Sequence, residues 1–221
     1  MTPLSLRALE SAHRSTTLGA ATLKQLAQSD LTALRDEPEL RGLSFDGLKL
    51  LGWDLSDRVI EDCSFRECLL TDTRFNASVV RACEFAGAGV QGVSLFAATV
   101  EECKMMGLNF TRGSRFDAAT FSRTNLDYAL LRGVDLSSVE FTGCSMRECD
   151  FTGADLTDAS LLECDLTDAD WSNATTRGTD LRGSRVRGLD LRRGPYGVIL
   201  TTQQVVGLAQ DLGVTVIDPA E

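Results

Sequence analysis

The sequence predicts an all-β solenoid, a chain that turns a corner every five residues and closes a square coil every twenty. Three observations predict it. First, every fifth residue from Phe45 is apolar: Phe45, Leu50, Leu55, Ile60, Phe65, Leu70, Phe75, Val80, Phe85, Val90, Leu95, Val100, Met105 and Phe110. After a slip of one residue the series resumes at Phe116 and runs to Leu191, with Thr176 its one polar member. That makes 29 apolar residues in 30 positions of a chain that is only 43% hydrophobic. Second, the position two before each of these centres is usually small, as at Cys63, Cys68, Thr73, Ser78, Cys83, Ala88, Ala119, Thr124, Ala154 and Ala159. Third, a period of five fits neither a helix at 3.6 nor a strand at 2. It is an internal repeat, in which one large and one small residue per five point inward.

Residues 1–40 precede the repeat and follow a different pattern. Leu6, Leu9 and Ala12 set a short helix. Leu23, Leu26, Ala27, Asp30, Leu31 and Leu34 recur at helical spacing, with Pro38 as a stop. The expectation is a helical N-terminal cap, because the first coil of a stacked solenoid exposes unpaired backbone that something must cover. In the first repeats, at 41–60, Leu43, Leu48, Trp53 and Arg58 hold the small position. Neither Trp nor Arg fits inside, so an irregular first coil is expected, with regular coils from Cys63 onward. Between Phe110 and Phe116 the stretch TRGSRF adds one residue, and a bulge, small loop or bend is expected at Arg112, Gly113, Ser114 and Arg115. Thirty repeats at four per coil give about seven to eight coils, spaced at ~4.8 Å. The repeat closes near residue 194. In the tail, 195–221, Thr201 or Thr202 caps a helix through about Leu212, Gly213 ends it and Val214–Ile217 forms a short strand.

The stretches ALLRG, DFTGADLTDASLLECDLTDADW and CSFRECLLTDTRF resemble the pentapeptide-repeat proteins, whose unit reads roughly A(D/N)LXX. The resemblance covers about 150 of the 221 residues. It implies a right-handed quadrilateral β-helix. The tail resembles the C-terminal end of the Qnr and MfpA branch, which protects DNA gyrase. The matching residues are Gly197 to Leu200, Gln204, Leu208, Ala209, Leu212 to Val214, Val216 and Ile217. In that branch the tail builds a homodimer, which here would use Val205, Val206, Leu208, Ala209, Leu212, Val214 and Val216. A plain terminal cap is the simpler reading. The long loops of Qnr members are absent, so the chain is more similar to the loop-poor MfpA and AlbG members.

Composition sets further bounds. A net charge of −10 and a pI of about 4.7 argue against direct binding of nucleic acid, which needs surplus Lys and Arg. No apolar run approaches the roughly 18 residues of a membrane span, and the N-terminus does not read as a signal peptide, so the cytoplasm is the expected location. All seven cysteines fall at the small inward position, which predicts buried filler rather than disulfides or a metal site. The one histidine, His13, lies outside the repeats, and no catalytic constellation is assembled without it. GAGVQG at Gly87–Gly92 formally matches GxGxxG, but its glycines fall on outward repeat positions and no helix follows. The chain is expected to be a non-enzyme with no cofactor and no metal.

Charge carries the functional reading. Residues 133–175 hold ten acids and one base, Arg147. An Asp before the centre belongs to the repeat itself, where it bonds the turn backbone. The partner-binding candidates are Asp135, Glu148, Asp150, Asp155, Asp158, Asp165, Asp168 and Asp170, with the insertion at Arg112 to Arg115 as a loop contact. With a coil of twenty, Asp150, Asp170 and Asp190 stack in one column. Leu69, Val79, Phe96 and Met106 are outward and apolar, as scattered surface residues often are. Two readings stand. The first is a DNA mimic that binds type II topoisomerase, DNA gyrase by the resemblance, and protects it from a poison. The second is a solenoid scaffold for an unrelated protein.

Overall fold

The computed structural model describes residues 15–18, 21–111, 113–189 and 196–217. The repeats form a parallel β-solenoid with four faces. Face one is a seven-stranded parallel sheet of β3 (Glu39–Arg41), β5 (Val59–Glu61), β6 (Val79–Arg81), β7 (Thr99–Glu101), β8 (Thr120–Ser122), β9 (Glu140–Thr142) and β10 (Ser160–Leu162). The other faces pair through one bridge per coil. Face two runs Ser44, Ser64, Glu84, Lys104, Asn125, Ser145, Asp165, Arg185. Face three includes Lys49, Leu69, Gly89 and then Asn109, Leu130, Asp150, Asp170. Face four includes Asp54, Arg74, Ser94, Arg115 and then Asp135, Asp155, Thr175.

The centre residues form the core. Each face contributes one inward ladder, such as Phe121, Phe141, Leu161 and Leu181 on face one, all buried. The rings of Phe45, Phe65 and Phe85 stack with centroids 4.8 and 4.9 Å apart. That equals the strand spacing, so like residues in register stack without gaps. Trp171 continues the pattern over Phe151 at 4.8 Å. Thr176, the polar exception, is buried in the last coil, and its hydroxyl donates to the Tyr196 carbonyl at 2.8 Å. It satisfies the chain where the repeat ends.

Each corner is a tight turn. The amide three residues after a centre donates back to the centre's carbonyl, as from Cys68 to Phe65 at 3.2 Å and from Thr73 to Leu70 at 3.0 Å. The residue between, two after the centre, has positive φ. Glycine takes it freely at Gly47 and Gly133, while Asp72, Ala77 and Glu148 hold it at φ 56°, 53° and 53°.

The small position does more than fill space. Its hydroxyl or thiol donates to the carbonyl 23 residues earlier: Thr73 to Leu50 at 2.5 Å, Ser78 to Leu55 at 2.6 Å, Cys149 to Leu126 at 3.0 Å and Ser184 to Leu161 at 2.6 Å. The cysteines are therefore weak donors as well as filler. All seven are free and buried. Burial pushes the Cys68 and Cys149 thiols up to about 12, so they stay protonated.

Three expectations need correction. The described part of the N-terminal cap is helical only in its second half. β1 (Ser15–Leu18) and β2 (Ala21–Gln25) form an antiparallel hairpin, and β2 pairs in parallel with β4 (Leu43–Ser44). Leu23 thus lies on a strand, and only Gln28–Leu34 coils, as a 3-10 helix. The open edge of face two offers hydrogen bonds that an isolated helix cannot use, from Lys24 N to Gly42 O at 2.9 Å and from Leu26 N to Ser44 O at 3.0 Å. The short helix set by Leu6, Leu9 and Ala12 lies outside the described residues. The first coil is regular in its backbone, with Glu39–Arg41 paired to Val59–Glu61. Trp53 and Arg58 stay half-buried at its open end. The Arg58 guanidinium donates to Leu34 O and Glu37 O, each at 2.9 Å, and to Arg35 O, so it caps the 3-10 helix.

The insertion is absorbed locally. Pairing shifts from 20 to 21 residues at Thr99↔Thr120, then returns to 20 at Thr120↔Glu140, with the sheet unbroken. Gly113 takes φ +70°, and Ser114 Oγ donates to Val90 O at 3.2 Å. Arg112 lies outside the described residues.

The C-terminal helix α1 spans Thr202–Asp211, N-capped by Thr201, and Gly213 follows at φ +76°. Val214–Ile217 forms no strand and is exposed. Gln204 fixes α1 to the stack: its Nε2 donates to Leu181 O at 2.7 Å and Ser184 O at 2.8 Å. Gln204→Ala is expected to destabilise the C-terminal cap by about 1–3 kcal/mol. Hydrogen exchange should quicken in α1 and the last coil, with the first coils unchanged.

Candidate partner-binding surface

The face system sorts the acidic candidates. Asp150 and Asp170 are paired neighbours on face three. Glu148 and Asp168 sit at the corner between faces two and three, one coil apart, with φ 53° and 59°. Asp165 lies on face two. These five meet along one edge. Asp135 and Asp155 lie on face four, and Asp158 takes the diagonally opposite corner. The eight candidates are therefore spread over several sides. Asp190, expected above Asp170, lies outside the described residues.

Much of this charge already has work within the turn. Asp135 accepts from Ser137 N, Asp155 and Asp165 from the amide and hydroxyl of Thr157 and Thr167, and Asp170 from Ser172 N. These bonds follow from the short Asp side chain before the centre. Some acids are also neutralised. Arg132 forks onto Asp150 at 2.5 Å and Arg185 reaches Asp165 at 3.4 Å. Glu148 lies one coil above Tyr128 at the same corner, and its charge raises the phenol's pKa.

The two halves of the rod differ. On face one the outward column alternates in sign, Arg41 with Glu61, then Arg81 with Glu61 and Glu101. Vertical neighbours there cancel. On the face-three edge, Glu148 stacks beneath Asp168 and Asp150 beneath Asp170, with no alternation. Among the described residues Glu148, Asp168 and Asp170 have no basic partner within 4 Å.

One acid was hidden from sequence reasoning. Asp127 is buried, and it accepts from Ser145 Oγ at 2.5 Å, Arg147 N at 3.0 Å and the Arg147 guanidinium at 2.6 and 3.0 Å. Burial alone would raise its pKa, but Arg147 and Ser145 outweigh that and hold it low. Arg147, the one base of the acidic stretch, is thus committed to a structural carboxylate. The hydrogen bonds of Ser137, Ser172 and Arg182 likewise depress Asp135, Asp170 and Asp180, and Ser56 and Arg74 bring Asp54 to about 2. A carboxyl with a depressed folded-state pKa stabilises the fold above its unfolded value of about 4, and loses that effect as pH falls through the folded value. The melting temperature is therefore expected to hold from pH 7 to about 4 and to fall between pH 4 and 2, with Asp127→Asn flattening that fall.

The outward apolar candidates separate. Leu69 is on face three, Phe96 lies in the turn that follows face four and Met106 lies beside the corner of faces two and three, all exposed, while Val79 is half-buried on face one. Sequence reasoning missed Tyr128 and Leu130, exposed on that same corner and face. Their signal was available, since both break the polar rule of outward repeat positions. Of the tail residues, Leu208 is buried against the stack and serves the chain's own packing. Val206 and Ala209 are half-buried, and Val205, Leu212, Val214 and Val216 are exposed.

Among the described residues no catalytic constellation of side chains converges. Among the described residues no three His, Cys, Asp or Glu converge to hold a metal ion. No helix among them is long and apolar enough to cross a membrane. Gly87 and Gly92 take positive φ at corners and Gly89 pairs with Leu69 on face three, so GAGVQG is repeat geometry. A void of about 10 Å³ among Phe75, Phe85, Val90 and Leu95 is about the size of one water probe and leaves no room for a ligand.

Comparison with known proteins agrees with this geometry. The family model described as pentapeptide repeat region matches residues 93–171, and the one described as pentapeptide repeats, eight copies, matches 159–193. Two trypsin-treated variants of QnrB1, a plasmid-mediated fluoroquinolone resistance protein, share the fold with a TM-score of 0.77 each. They are 22% and 24% identical, over 88% of this chain and 96% and 95% of theirs. No curated protein sequence matches.

Proposed function

Since the chain belongs to the pentapeptide-repeat proteins, we propose that it is a non-enzymatic DNA mimic that binds a type II topoisomerase, DNA gyrase, and protects it from a poison. One observation carries the reading: the carboxylate edge on which Glu148 stacks beneath Asp168 and Asp150 beneath Asp170, with Asp165 beside them. These five carboxylates span two coils, about 10 Å of rod. With Asp150 and Asp165 neutralised by Arg132 and Arg185, three charges remain, about one per 3 Å, against one per ~1.7 Å of duplex DNA. A cationic DNA-binding groove would take such an edge. The fold shared with a fluoroquinolone resistance protein supports the choice of partner.

In this reading the protein acts in the cytoplasm as a homodimer joined through the tail. Val205, Leu212, Val214 and Val216 are exposed there, and the unpaired Val214–Ile217 is free to find its strand partner in a second copy. The test is a supercoiling assay with purified gyrase and a quinolone. Restored supercoiling in the presence of the protein supports the proposal. No rescue and no inhibition at micromolar protein rejects it.

A second reading is a scaffold for an unrelated protein. The placement of Asp135, Asp155 and Asp158 away from the edge favours it, because that charge serves no single docking face.

A further inference from the structure

We propose that Tyr128 anchors the docking surface, and that the partner places there an apolar side chain flanked by arginine or lysine. The inference rests on the topoisomerase reading and names the part of the edge on which the enzyme sits.

Tyr128 is the odd member of its class. Corner positions with positive φ are held in this chain by Gly, Asp, Glu, Asn, Ala, Ser and Arg, and Tyr128 is the one aromatic among the described residues, at φ 62°. A bulky residue in this region is strained, by about 1–2 kcal/mol. Folding gains nothing visible in return, since its side chain is not packed in the core and it is 48% exposed. The positions directly beneath it in the same column, Gly87 and Gly107, are glycine. Strain held at an exposed aromatic points to use by a partner, and tyrosine is among the residues that dominate binding energy at interfaces.

The surroundings specify the chemistry. Met106 lies one coil below and Leu130 two residues on, both exposed, so the ring sits in a small apolar patch. One coil above are Glu148, whose charge acts on the phenol, and Asp150, which Arg132 pairs, with the unpaired Asp168 and Asp170 above them. The patch is thus apolar on its N-terminal side and anionic on its C-terminal side. A nucleic acid would be repelled, and a purely apolar partner would bury unpaired carboxylates at high cost. A protein surface carrying a cation beside an apolar group satisfies both halves. Its guanidinium or ammonium can lie over the Tyr128 face while pairing with Glu148 or Asp168.

Glycine prefers the backbone that Tyr128 strains to hold, so binding and folding can be separated. Tyr128→Gly is expected to melt at or above the wild-type temperature, yet to bind purified gyrase at least tenfold more weakly. Tyr128→Asn, which also tolerates positive φ, should behave alike and serves if the glycine variant fails to fold. Phe96→Ala, at an exposed apolar residue in the turn that follows face four, should change binding less than twofold. If wild type binds no gyrase, the topoisomerase reading falls and this inference with it. If wild type binds, and Tyr128→Gly and Tyr128→Asn bind equally well, or Phe96→Ala weakens binding as much, this inference alone is overturned.

Discussion

Phe65→Ala is expected to destabilise the fold by about 3–5 kcal/mol, the largest effect of any single truncation considered for this chain. Phe65 is fully buried between two parallel rings, Phe45 at 4.8 Å and Phe85 at 4.9 Å, and meets the edge of Phe75 at 6.2 Å. Removing it leaves a cavity that the coils cannot close, because their spacing is fixed by hydrogen bonds such as Phe65 N to Glu84 O at 2.7 Å. In a solenoid the loss is felt by nearest neighbours. Thermal denaturation should show a drop of about 10 °C. Hydrogen exchange should quicken first in the coils of Phe45 and Phe85, while those beyond Phe141 keep their protection. Phe65→Leu should recover much of the loss.

Reversing Glu148 and Asp168 together to lysine is expected to weaken gyrase binding about 100-fold at low salt, with the fold intact. Both are exposed corner residues without a basic partner, so their charge is available to a binding partner and not to the fold. Two reversals turn attraction into repulsion over a patch where charge pairs add. Titration by fluorescence anisotropy at two salt concentrations separates this from misfolding. Wild-type affinity should fall steeply with added salt, and the variant's should fall less. Asp135→Lys with Asp158→Lys places the same charge change on the diagonally opposite side and should leave affinity within about threefold. An unrelated scaffold would show no difference between the two pairs.

The repeat was legible because one rule, an apolar residue every fifth position, is enforced by the stack itself: a polar residue at Phe141 or Leu161 would be buried in two neighbouring coils at once. The ends were not legible for the converse reason. Leu23, Leu26, Leu31 and Leu34 have helical spacing, but Leu23 joins a strand because the first coil leaves an edge open beside Leu43. Arg58 looked like a misfit inside, and it turns out to cap the 3-10 helix from the small position of the outermost coil. The acidic edge was legible in part. A step of twenty stacked Asp150 under Asp170, and the structure keeps that pair. Composition could not tell that Asp127 is buried with Arg147, or that Arg132 reaches Asp150 across 18 residues, since those depend on which side chains the coil brings into vertical contact.

The account stands on an edge of carboxylates taking the place of a nucleic acid on the enzyme, and competition with duplex DNA tests it most directly. Labelled linear DNA is bound to gyrase and the protein is titrated in. DNA mimicry predicts complete displacement, at a protein concentration that rises in proportion to the DNA supplied. A ternary complex, with protein and DNA held on the same enzyme at saturation of both, would contradict it.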